Sequence, residues 1–208
     1  MIKKNLKKLD FKFICRYVLW MLNKIRFTMP IVASSVNGFW KRKKYIQAER
    51  LCFSVFSQAR MIFFYDTWGV PDSLEGRFDC ACLHLALLLK HLKGSLAQAV
   101  FDGFFSYTEL TLREVGVSDL RVGKQVKKCA QFFYGALKAY TDALNNPTGL
   151  EEALSRNLYG GTPPQVMSHI INYVKACDHL LEGQDFENIM AIEWPHKDNE
   201  YVINNTVN

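Results

Sequence analysis

The 208-residue chain is 49% hydrophobic and 22% charged, with 15 Phe, 9 Tyr and 4 Trp, which excludes a disordered tail and supports a core that needs no disulfides. Its six cysteines (Cys15, Cys52, Cys80, Cys82, Cys129 and Cys177) form no CxxC pair and follow no secretory signal, so free thiols in a reducing compartment are expected. Charge is divided unevenly: twelve basic residues against Asp10 alone give the first 46 residues a net +11, and the remainder carries −5.

The first 44 residues read as a basic amphipathic arm. Laid on a helix, Lys8, Lys12, Arg16, Asn23 and Arg26 share one narrow sector, while Phe13, Val18, Trp20, Met21 and Ile25 spread over the rest. Arg16 divides the apolar stretch, so it is too short to span a bilayer. A helix lying at a membrane surface, with Lys8, Lys12, Arg16, Trp20 and Arg26 at the boundary, is the favoured reading. Docking on the folded body, a cleaved targeting sequence and an extension from an upstream start are the alternatives. The LysArgLysLys run at 41–44 reads as a solvated linker that could also touch phosphates.

From residue 45 the chain is helical nearly throughout, which predicts an all-α, single compact multi-helix domain over 45–183. A first helix over 46–66 aligns Leu51, Val55, Ala59 and Ile62, and Gly69 with Pro71 ends it. Asp72 and Glu75 have the spacing of a capping box. The helix over 77–92 is apolar on more than one face and is expected at the centre. Another follows over 96–115, with Gly103 letting a neighbour approach closely. Gly116 is placed to end it in the left-handed conformation, and Ser118 or Asp119 to cap the next.

That next helix, over 121–144, has the cleanest periodicity: Val122, Val126, Cys129, Phe133, Leu137, Tyr140 and Leu144 step by three or four. Thr148 with Glu151 suggests a capping box for a short helix to Leu158, and a last helix is expected over 165–181. Residues 184–208 read as a partly ordered tail with one helical turn.

The search for chemistry is mostly negative. No phosphate loop, HExxH or nucleophile elbow is present, so no catalytic residue is assigned and an enzyme is not expected. Cys80 and Cys82 lie two apart and diverge on a helix, which speaks against zinc; no metal and no cofactor are expected. His84 and His91, seven apart, could act as ligands or a haem clamp, but a helix flank touching core or solvent is the commoner arrangement. An enzyme would require a pocket gathering His84, Asp79 or Cys82.

Two corners draw attention. Arg113, Arg121, Lys124, Lys127 and Lys128 crowd positive charge around the start of a helix, where unpaired amides are already electropositive. This points to an anion or acidic partner, unless Glu114 and Asp119 neutralise the group and the lysines are simply solvated. Gly116, Asp119 and Gly123 are expected to shape that corner. Gly76, Arg77 and Asp79 form the second, in which Arg77 or Arg113 is expected to pair with Asp79 or Asp119.

GVPDSLEGRFD at 69–79, LREVGVSDL at 112–120 and VGKQVKKCAQFFYG at 122–135 closely resemble the ubiquinol-cytochrome c chaperone family, over roughly 47–157. The resemblance implies a helical fold and a non-catalytic assembly factor for cytochrome b or another respiratory-complex subunit, with a ribosome contact and no DNA. It implies a peripheral location at the cytoplasmic face of a bacterial inner membrane or the matrix face of the mitochondrial one. The competing class is an RNA- or ribosome-binding module, suggested by the basic arm and lysine corner.

Overall fold

Nine consecutive residues, 80–88, are buried. A helix apolar on every side must be surrounded by others, and that requirement organises the molecule. The computed structural model describes residues 39–196 except 115, 147, 148 and 163. They form α1 (Phe39–Gln58), the single turn α2 (Phe63–Asp66), α3 (Leu74–His91), α4 (Gly94–Glu114), α5 (Asp119–Asn145), α6 (Leu150–Leu158) and α7 (Met167–Glu182), with no strand among the described residues. The arm residues Lys8, Lys12, Arg16, Trp20 and Arg26 lie outside them.

The buried helix is α3, and it packs against α1, α5, α6 and α7, while α4 bridges α1 and α5. Its Leu83, Leu85, Leu87 and Leu88 are fully enclosed. The α1–α4 seam is closed by Phe56 stacked on Phe104 at 4.8 Å. Gly103 lies on this seam, where an added Cβ would come within 3.3 Å of Cys52 Sγ, so close approach of the two helices depends on it. Phe101 and Phe105 carry the contact on to Phe133 of α5.

The long α5 buries Val122, Cys129, Phe133, Ala136, Tyr140 and Ala143, one stripe of its 27 residues. Its junction with α4 is a left-handed cap at Gly116, φ 85°. Gly116 N–H donates to Arg113 O at 2.9 Å and Val117 N–H to Leu112 O at 3.0 Å, which satisfies the last carbonyls of α4. Leu112, Val117 and Val122 then form a small cluster separate from the main core.

Several expected boundaries are corrected. The helix expected over 46–66 begins at Phe39, so the 41–44 basic run is helical and not a linker. It ends at Gln58, because Arg60 and Met61 donate to Ser57 and Gln58 in tighter turns. That turn rotates Ile62 out of the apolar stripe, leaving it 76% exposed while Leu51, Val55 and Ala59 stay buried. Ser73 caps α3 instead of Asp72, its Oγ accepting from Gly76 N–H at 3.1 Å. Ser118 stands at the N-cap of α5 with no side-chain bond, Gly149 holds the corresponding place before α6, and Thr148 lies outside the described residues.

Candidate partner-binding site

One face of α1 repeats polar residues at helical spacing: Lys43, Gln47, Arg50, Ser54 and Gln58. All five hold the segment 184–196, which crosses α1 as a strap. Gln47 Nε2 donates to Phe186 O and Ile189 O, both at 2.8 Å. Trp194 Nε1 donates to Ser54 Oγ at 2.9 Å, Gln58 Nε2 reaches Pro195 O at 3.4 Å, and Lys43 Nζ reaches Asn188 Oδ1 at 3.2 Å. Arg50 lies beside Met190 Sδ at 3.4 Å. Phe186 and Ile192 drop into the core. The expected helical turn shrinks to Asp185–Ile189, where Ile189 N–H donates to Asp185 O at 3.0 Å.

Between strap and helix lies an open groove of about 750 Å³, lined by Ile46, Phe53, Met61, Met190, Ile192 and Trp194, with Glu49 and Arg50 at its edge. Phe53 is 48% and Met190 72% exposed, so the groove offers water an apolar wall on each side. Methionines adapt their shape to varied partners, so this lining suits an apolar chain segment better than one rigid ligand.

Beneath the groove lies a buried polar relay. Tyr173 Oη, on α7, accepts from Gln58 Nε2 at 2.9 Å and faces His84 Nε2 at 2.8 Å; His84 Nδ1 meets Cys80 O at 2.7 Å. Because a carbonyl only accepts, Nδ1 carries the ring proton and Nε2 accepts from Tyr173. Burial lowers the His84 pKa to about 4, so the ring is neutral and structural. His91 is elsewhere, sharing Asp178 with Lys90 at 2.6 and 2.7 Å and tying the end of α3 to α7. The two histidines therefore do not converge. Among the described residues no three His, Cys, Asp or Glu side chains gather to hold a metal ion. The five described cysteines are buried and none is in a disulfide, and burial pushes the Cys52 thiol up to about 12 and Cys129 to about 11, away from nucleophilic use.

At the basic corner, Arg113 is held by Glu109 at 2.7 Å and by Asp119. Arg121, Lys124, Lys127 and Lys128 are exposed and have no ion pair among the described residues. Gly123 lies inside α5 and makes no turn. At the other corner Arg77 pairs with Asp72 at 2.6 Å, not Asp79, and lies over the Tyr65 ring at 4.9 Å. Gly76 faces Pro71 so closely that an added Cβ would lie 2.1 Å from the Pro71 carbonyl oxygen. Sequence reasoning missed the strap; the polar stripe on α1 together with Phe186, Ile192 and Trp194 in the tail was its signal.

Residues 66–195, more than half the chain and ending in the strap, match the profile of the ubiquinol-cytochrome C chaperone family. The chain belongs to that family. The family match takes in α3 to α7; it begins later than the 47–157 span of the resemblance and runs past its end to 195. Among solved structures, the crystal structure of the Cbp3 homolog from Brucella abortus is similar with a TM-score of 0.67 and 31% identity, over 77% of this chain and 94% of that one. No curated protein sequence matches the chain. Family membership carries an assembly-chaperone role, and among the described residues no helix is long and apolar enough to cross a membrane.

Proposed function

We propose that the chain is a non-catalytic assembly factor for the cytochrome b subunit of the ubiquinol-cytochrome c reductase complex, acting by protein binding at the cytoplasmic face of a bacterial inner membrane or its mitochondrial matrix equivalent. The groove carries this reading. A subunit of a membrane complex exposes apolar segments until its neighbours arrive, and a groove with exposed Phe53 and Met190 gives such a segment apolar cover without chemistry. The family supports the role, and the basic arm supports the membrane location.

The test replaces Phe53→Asp and Met190→Asp together and measures recovery of cytochrome b with the chaperone from detergent-solubilised membranes. Both side chains stand at the surface, so helix content by circular dichroism is expected to hold, while recovery falls about tenfold or more. Undiminished recovery with the double variant would remove the groove. Unchanged cytochrome b levels after deletion of the gene would remove the function.

A further inference from the structure

The outer face of α5 opposes its buried stripe. At 100° per residue, Lys124, Lys127, Gln131, Tyr134 and Lys138 fall within about 40° of Leu120. From Leu120 to Thr141 the sequence holds five basic residues and no Asp or Glu. Lys124 and Lys138 stand about 21 Å apart along the axis. A lysine face that is merely solvated is commonly interleaved with acids at i±4; Lys124, Lys127 and Lys128 have none, and Asp142 stands four residues beyond Lys138 alone. At the start of the helix the nearest acid, Asp119, is taken by Arg113.

The second observation is apolar. Leu120 is 97% exposed and Tyr134 55%, both in line with the lysines. Leu120 projects from the corner that carries the Leu112, Val117 and Val122 cluster and the Gly116 cap, on the side away from the buried stripe. An anionic surface with an oily interior answers both features. We propose that this face rests on an anionic phospholipid bilayer, with Lys124, Lys127, Lys128 and Lys138 on headgroup phosphates, Leu120 entering the acyl boundary and Tyr134 at headgroup level. An RNA partner would use the lysines and Tyr134 but gains nothing from Leu120. The face takes no part in lining the groove, so this lipid contact goes beyond the client-holding role and stands or falls separately from it.

The experiment uses the full-length chain with Cys15→Ser, the other cysteines being buried, and an environment-sensitive dye on Leu120→Cys or, as reference, on exposed Gly183→Cys. The probes are vesicles of phosphatidylcholine alone, vesicles of phosphatidylcholine with phosphatidylglycerol, and a single-stranded RNA homopolymer. The dye at 120 is expected to shift to the blue only with anionic vesicles, and the dye at 183 not at all. Lys124→Gln/Lys127→Gln/Lys128→Gln should weaken that shift about tenfold to a hundredfold at low salt while cytochrome b still co-purifies. Sedimentation with vesicles while the dye at 120 stays unshifted, equal shifts at 120 and 183, or a response to RNA without one to vesicles would each overturn the assignment.

Discussion

Asp79 sits on α3 with its carboxyl largely out of water, and burial first, then the nearby Glu75 charge, raises its pKa to about 8. No cation pairs with it among the described residues, because Arg77 turns to Asp72. The Tyr140 hydroxyl, which has no hydrogen-bond partner among the described residues, is raised by burial first and then by the same carboxyl. The native state thus keeps a proton that the unfolded chain releases near 3.8, so this group's contribution is complete below that value and is lost as pH rises to about 8. Asp79→Asn should therefore raise stability on the alkaline side of 8 by about 1–3 kcal/mol and change little in mild acid. Denaturant melts at the two pH values check this, and an equal effect at both contradicts it. His84 acts in the opposite sense: its contribution is present above the ordinary 6.5 and is lost as pH falls towards 4.

At the scale of elements, two glycines separate geometry from propensity. Gly76→Ala drives a Cβ into the Pro71 carbonyl at 2.1 Å, where backbone must move. A loss of about 2–4 kcal/mol is expected in thermal unfolding. Gly123→Ala meets nothing within 4 Å inside α5 and should gain about 0.5–1 kcal/mol. The sequence made α5 readable because Val122, Cys129, Phe133 and Tyr140 leave a single period, and α3 because it is apolar all round. The end of α1 was hidden, since Ala59 and Ile62 continue the apolar spacing and only the backbone shows where the turn tightens. Ser73 and Asp72 are both competent caps, and the Arg77 guanidinium decided between them by claiming Asp72. The lysines of α5 were plain in the sequence; the near-complete exposure of Leu120 depends on how Gly116 closes the corner, which no local pattern reports.

Across the whole molecule, the strap joins residues about 140 positions apart, Gln47 with Ile189 among them. Periodicity compares neighbours a few residues away, so the polar stripe of α1 could be seen but not its partner. Ending the chain after Gly183 would remove the buried Phe186 and Ile192 and the Trp194 that packs edge-on against the His84 ring. A loss of about 3–6 kcal/mol is expected from the apolar area alone. Calorimetry should show the lower transition, and the truncated chain should bind a hydrophobic dye and recover no cytochrome b. A truncation that melts with the full chain would mean that the strap is an accessory.

Because one wall of the groove is α1 and the other is the strap that follows α7, a copy whose synthesis has not reached the strap has no cleft. Under the proposed role a copy can start sheltering a client only once residues 184–196 have been made, so the order of synthesis itself keeps shorter copies out of the assembly line.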